Sequence, residues 1–323
     1  MNKRSLGKTK LELSEIGYGA WGIGKSNWIG ANDKESLTAL HTAVDLGLNF
    51  IDTALAYGEG HSERLIGSVL KERSETIHVA TKIPPKNLQW PAREGVKVED
   101  TYPAEHIISS TELSLKNLGV DTIDLQQFHV WSDEWVNQGE WLEAIALLKR
   151  QGKIKYFGIS VNDHQPENAL KLIESGLVDS VQVIYNIFEQ RPADKLFPLC
   201  QKHNVGVIVR VALDEGGLTG QITSETNFAD GDFRNNYFKG DRKLELAKRI
   251  ENITSDLNIR MEDMPETALR FVLSHPAVST VIPGMRSIRN VKSNCQIGDG
   301  KGLSAEYVEK LKEHRWIRNF YLP

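Results

Sequence analysis

Four side chains that end apolar runs have the types needed for proton-transfer chemistry. "NFIDTALAYG" (49–58) carries a carboxylate, Asp52, at the end of one run and a phenol, Tyr57, five residues later. "HVATK" ends on an amine, Lys82, and "DLQQF" leads to an imidazole, His129. Each has an ordinary explanation when taken singly. An Asp at a strand end caps local backbone N–H groups, a Lys there carries its amine to water, and a His among apolar residues is a satisfied core residue. Taken together they point elsewhere. Charges gathered on one face are costly unless they pair.

The chemistry of such a group is specific. A phenol has a reference pKa near 10, so it is a weak acid at neutral pH. An ammonium within a few ångströms favours the phenolate. A carboxylate paired to that ammonium keeps it charged and fixes its rotamer. An imidazole beside the phenol can hold a carbonyl oxygen in place. The set then protonates an oxygen that is turning into an alkoxide, by general acid catalysis with electrostatic stabilisation. It needs no protein nucleophile and no metal. A hydride must come from elsewhere, which implies a nicotinamide cofactor.

Such residues need a scaffold that brings strand ends together. Short β-branched runs at 14–18, 48–52, 77–82, 122–128, 154–160, 180–184, 206–210 and 278–282 alternate with amphipathic stretches. Those stretches lie at 33–47, 61–71, 103–119, 138–150, 165–175, 193–202, 241–256, 265–274, 287–295 and 304–314. Eight strands alternating with helices predict a closed (β/α)8 barrel, an α/β fold whose chemistry sits at the C-terminal ends of the strands. A doubly wound sheet is the competitor. It would carry a Gly-rich fingerprint opening a helix after its first strand, and "IGYGAWGIG" (16–24) only half resembles one. "RSLGKTKLELS" (4–14) predicts a short hairpin ahead of the barrel. The connections 83–103, 130–137 and 213–240 are long, as functional loops are. The whole chain, 1–323, is expected to form one barrel domain.

Bulk properties narrow the function. With 323 residues, 40% of them hydrophobic and a net charge of −4, the chain has material for a large core. It has no global basic field for nucleic acid or anionic lipid. The two cysteines, Cys200 and Cys295, form no spaced cluster, so neither a disulfide framework nor a cysteine zinc site is expected. The basic N-terminus lacks an apolar signal core, and no run is long enough to span a membrane. A cytoplasmic setting is expected.

In order along the chain, "LGKTKLELSEIGYGAWGIG", "GLNFIDTALAYGEGHSERLIG", "VATK", "SLKNLGVDTIDLQQFHVW", "GKIKYFGIS", "VQVIYNIFEQ", "GGLTG", "DFRNNYF" and "VSTVIPGMRSIRNVKSN" resemble the aldo-keto reductase family. The resemblance implies that Tyr57 is the proton donor, that Lys82 and Asp52 tune it, and that His129 orients the carbonyl. It implies a cofactor channel at Gly19, Ala20, Trp21 and Asp52, with Ser160, Asn162 and Gln182 at the carboxamide. Arg210, Val211, Leu213, Gly217 and Leu218 belong to the strand end and loop that would fold over the pyrophosphate. Gly284, Arg286, Asn290 and Asn294 would take the adenosine end. Arg286 beside a helix N-terminus also suits a 2′-phosphate, which favours NADP(H) over NAD(H).

The chain departs from the family pattern at Arg210, where an aromatic residue usually stacks on the nicotinamide, at Ser160–Val161–Asn162, and at Asn290 in place of Gln. Trp21, Trp90 and Trp131 are the candidate aromatic walls of a substrate pocket. Trp28, Trp135 and the aromatic tail 314–323 are further candidates, although such a tail more often simply packs on the barrel. Glu215, Asp230, Asp232 and Asn235 would suit a polyol or sugar. The expected partner is a small carbonyl or alcohol, without nucleic acid, membrane or metal. A cofactor-binding sensor of weak turnover is the alternative. A lyase with Lys82 as a Schiff-base amine is disfavoured, because a paired carboxylate keeps that amine protonated.

Overall fold

The computed structural model describes residues 1–25 and 28–322. Strands β1 (Lys3–Ser5) and β2 (Glu12–Ser14) form an antiparallel hairpin, as the sequence predicts. Eight parallel strands follow: β3 (Tyr18–Gly19), β4 (Phe50–Asp52), β5 (His78–Ile83), β6 (Ile123–Phe128), β7 (Ile154–Ser160), β8 (Ser180–Ile184), β9 (Gly206–Arg210) and β10 (Val278–Val281). Each pairs with its neighbour in chain order. Parallel bridges Ile16 to Val281 and Gly19 to Gly284 join the first strand to the last. The (β/α)8 expectation is met. The predicted first strand, 14–18, lies one to four residues early, because residues 12–14 are spent on the hairpin.

The helices are α1 (Asp33–Asp45), α2 (His61–Glu72), α3 (Val98–Thr101), α4 (Ala104–Leu118), α5 (Trp141–Arg150), α6 (Leu170–Ser175), α7 (Leu196–His203), α8 (Arg234–Tyr237), α9 (Arg242–Leu257), α10 (Met264–Leu273), α11 (Ile288–Cys295) and α12 (Ala305–Lys312). Local chemistry sets their ends. Asn32 accepts the Glu35 N–H ahead of α1, with Asp33 and Glu35 against the positive end of the helix. Gly119, at φ 65°, closes α4 in the left-handed conformation that Gly adopts without penalty. The stretch at 165–175 yields a helix only at Leu170–Ser175. Loops 83–103 and 213–240 contain the short helices α3 and α8, which periodicity over a few residues does not reveal.

Two cores follow from the strand pleat. Successive side chains point to opposite faces. Ile51, Val79, Val207 and Val209 pack outward against the helices. Phe50, Ala80, Leu125 and Ile208 gather inside with Ile282 and with Leu6, Leu11 and Leu13 of the hairpin. Residues from strands that are not neighbours can cluster this way only in the lumen. The hairpin therefore plugs the N-terminal end, and the other end is left for polar residues. No described helix is long and apolar enough to cross a membrane.

Candidate active site

The pleat also positions the predicted site. Two residues beyond Phe50 stands Asp52, two beyond Ala80 stands Lys82, two beyond Leu125 stands Gln127, and two beyond Ile208 stands Arg210. All share the lumen face of their strands, at the end the hairpin does not fill. There Asp52 and Arg210 line one cavity of about 1120 Å³ with Tyr57, His129, Trp21 and Trp90, while Lys82 and Gln127 are fully buried behind its wall.

Lys82 is fully buried and its amine is saturated. Nζ donates to Asp52 Oδ1 at 2.5 Å and to the Thr53 carbonyl at 2.7 Å. It lies 3.4 Å from Tyr57 Oη. Asp52 Oδ2 accepts from Gln182 Nε2 at 2.7 Å and from Gln127 Nε2 at 3.2 Å. The carboxylate is thus held from three strands, which fixes the ammonium against the phenol. The His129 ring meets the Tyr57 ring edge-on at 5.7 Å between centroids, and the Trp90 ring at 4.5 Å.

Burial works against the charge on Lys82, but Asp52 and then Tyr57 outweigh it, and its pKa rises above the ordinary value. For Tyr57 the balance differs from the expectation. Burial raises the phenol pKa, and the Lys82 charge, the largest opposing influence, does not overcome it. Desolvation of a phenolate is worse than the sequence alone conveys, because nothing in the sequence reports how deep the hydroxyl sits. Burial, then Lys82 and Arg210, hold the His129 pKa well below its usual range. The imidazole is therefore neutral at neutral pH, able to donate one hydrogen bond while its other nitrogen accepts.

The remaining predicted residues fall into two groups. Gly19, Ala20, Ser160, Asn162, Gln182, Val211, Leu213, Gly284, Arg286, Asn290 and Asn294 all line the cavity. The amide nitrogen of Gln182 is committed to Asp52, and that of Asn162 to Ala92 and Gln165. Arg286 donates to the Ile29 carbonyl at 2.9 Å and faces the Trp28 ring, with Arg289 on the same wall. Three expectations are corrected. Trp131 is fully buried, packed among Phe128, Trp135 and Trp141 in the core behind the barrel wall. Leu218 is fully buried, and Gly217 backs onto Asp214 and Leu246. The loop turns sharply at Asp214, Glu215 and Gly216, all at positive φ, so Glu215, Gly216 and Thr219 face the cavity instead.

The chain matches the aldo/keto reductase family model over residues 15–315. It belongs to that family. An aldo-keto reductase is an oxidoreductase, and the (β/α)8 scaffold found here agrees with solved members. The glycerol dehydrogenase AKR11B4 from Gluconobacter oxydans superposes with a TM-score of 0.77 at 29% identity, over 97% of this chain and 94% of that one. An uncharacterized oxidoreductase, YqkF, of Bacillus subtilis is 29% identical over 97% of this chain and 96% of its own. An NADH-specific methylglyoxal reductase of Escherichia coli is 29% identical over 91% of this chain and 92% of its own.

Sequence reasoning on this aldo-keto reductase missed Gln127, whose signal was its place two residues beyond a lumen leucine. It also missed the tail contact. Arg318 pairs with Asp214 at 2.5 Å, and Tyr321 donates to Glu215, tying the C-terminus to the loop over the cavity. The tail serves both expected roles: Trp316 and Phe320 pack together, and Tyr321 lines the cavity. Pro323 lies outside the described residues. Of the acidic candidates, Glu215 faces the cavity, whereas Asp232 is engaged by Arg234.

Proposed function

We propose that this aldo-keto reductase interconverts a small carbonyl compound (aldehyde, ketone or sugar) and its alcohol with NADP(H). The observation that carries the reading is the approach of Lys82 Nζ to Tyr57 Oη on a cavity wall shared with His129. The dinucleotide, when bound, supplies the hydride.

The residues fit such a cofactor. The cavity joins a cationic end, at Arg286 and Arg289 beside Asn290 and Asn294, to the polar floor at Ser160 and Gln182 and then to the catalytic wall. One relative is NADH-specific by name, so family membership leaves the cofactor open; the two arginines support the 2′-phosphate form. His129, being neutral, donates to the carbonyl oxygen without competing as an acid. Tyr57 gives its proton to the oxygen as negative charge develops there. Its raised pKa does not obstruct this, since an alkoxide is far more basic than a phenolate. The Lys82 ammonium then stabilises the phenolate left behind, which is where preorganised charge lowers a barrier. Asp52 holds that ammonium in place. Trp21, Trp28 and Trp90 offer apolar walls to the rest of the substrate.

The test is Tyr57→Phe. Carbonyl-dependent NADPH oxidation should fall by about 10²–10⁴-fold, with NADPH affinity, read by fluorescence titration, near wild type. Turnover equal to wild type would refute the reading.

A further inference from the structure

Arg210 is a cation on the floor of the cavity, in the lumen position two residues beyond Ile208. Its guanidinium is not free to swing. One nitrogen donates to the Val161 carbonyl at 2.9 Å and to Asp163 Oδ1 at 2.7 Å. Its Nε is buried and finds no partner among the described residues, an orphaned donor on a cavity wall. Asp163 compensates the charge only in part, since its side chain is 30% exposed and so screened by water. Glu215, on the same cavity, is tied to Tyr321 and pushed by burial to a pKa of about 7. The positive field reaches the catalytic wall, where Arg210 acts on both Tyr57 and His129.

A carbonyl held by Tyr57 and His129 must be within about 3–3.5 Å of the ring that reduces it. That ring therefore lies beside Tyr57, within the field of Arg210. A dihydronicotinamide ring is neutral. An oxidised nicotinamide ring carries one positive charge. Like charges in a low-dielectric cleft repel strongly, whereas a planar guanidinium tolerates a neutral planar ring well.

We propose that Arg210 makes the site discriminate the redox state of its cofactor, retaining the reduced dinucleotide and weakening the oxidised one. This deepens the function proposed above and rests on it. The consequence is that the reduced form occupies the site and the spent dinucleotide leaves readily, while the same repulsion makes the bound ring a weaker hydride donor.

The experiment measures dissociation constants for NADPH and NADP+, and for NADH and NAD+, by fluorescence titration and calorimetry. Wild type should bind each reduced form at least about tenfold more tightly than its oxidised partner. Arg210→Met, which keeps length and loses charge, should shrink that ratio about tenfold, chiefly by tightening the oxidised form. Arg210→Lys should preserve the ratio. Affinity for 2′,5′-ADP, which has no nicotinamide, should be the same in all three proteins, and this separates a charge effect from a folding defect. Wild type binding both redox forms, with a ratio unchanged in Arg210→Met, overturns this inference alone. Wild type binding no dinucleotide overturns the cofactor reading and this inference with it.

Discussion

Charge at this site is decided residue by residue, by competition between burial and partners. Lys82 keeps its proton because Asp52 and Tyr57 together outweigh desolvation, whereas Tyr57 keeps its proton because desolvation outweighs Lys82. Glu215 makes the same competition measurable. Burial, with the neighbouring Asp214 adding to it, lifts its pKa from the ordinary carboxylate range to about 7, against the opposing Tyr321 hydrogen bond and Arg210. The unfolded chain loses this proton near pH 4.5 and the folded protein only near 7. Between those values the folded state binds more protons, so this group's contribution to stability falls as pH rises and is flat above about 7. Glu215→Gln keeps a carbonyl to accept from Tyr321 and removes the titration. Thermal or denaturant unfolding should find the variant stabilised relative to wild type by about 1–3 kcal/mol at pH 8. The difference should vanish near pH 4.5. A constant difference across that range would refute the assignment.

At the scale of elements, β-strands aim the site and the segments beyond them shape it. β4, β6 and β8 each contribute one polar lumen residue to the grip on Lys82, Asp52 directly and Gln127 and Gln182 through it. The segment between β10 and α11 carries Arg286 to the far end of the cavity. If that end receives a 2′-phosphate, Arg286→Ala removes a charge-assisted contact worth about 1.5–3 kcal/mol. The NADPH dissociation constant should then rise about tenfold to a hundredfold, with that for NADH nearly unchanged. Titration with both nucleotides reads the difference, and an equal loss for both would remove the phosphate role.

At the scale of the molecule, closure of the barrel separates tryptophans that the sequence treats alike. Trp131 is fully buried, while Trp90 is 45% exposed and sits against His129. Trp131→Ala should cost about 3–5 kcal/mol of stability and leave the carbonyl KM of the folded enzyme unchanged. Trp90→Ala should do the reverse, raising KM while unfolding shifts by no more than about 0.5 kcal/mol. Unfolding curves and steady-state kinetics on the two variants check the pair.

What the sequence determined by itself was local and periodic. Apolar alternation marked the eight strands, caps and glycines marked the helix ends, and strand termini marked Asp52, Lys82 and His129, since a residue's neighbours in the chain fix which face it occupies. Depth was decided only by the tertiary structure. That Trp131 and Leu218 turn into the core, that Gln127 and Gln182 converge on Asp52, and that Tyr321 returns to Glu215 depend on contacts between residues up to 130 positions apart. The desolvation that sets the Tyr57 and Glu215 proton affinities is likewise a property of the assembled surroundings, and no window of sequence contains it.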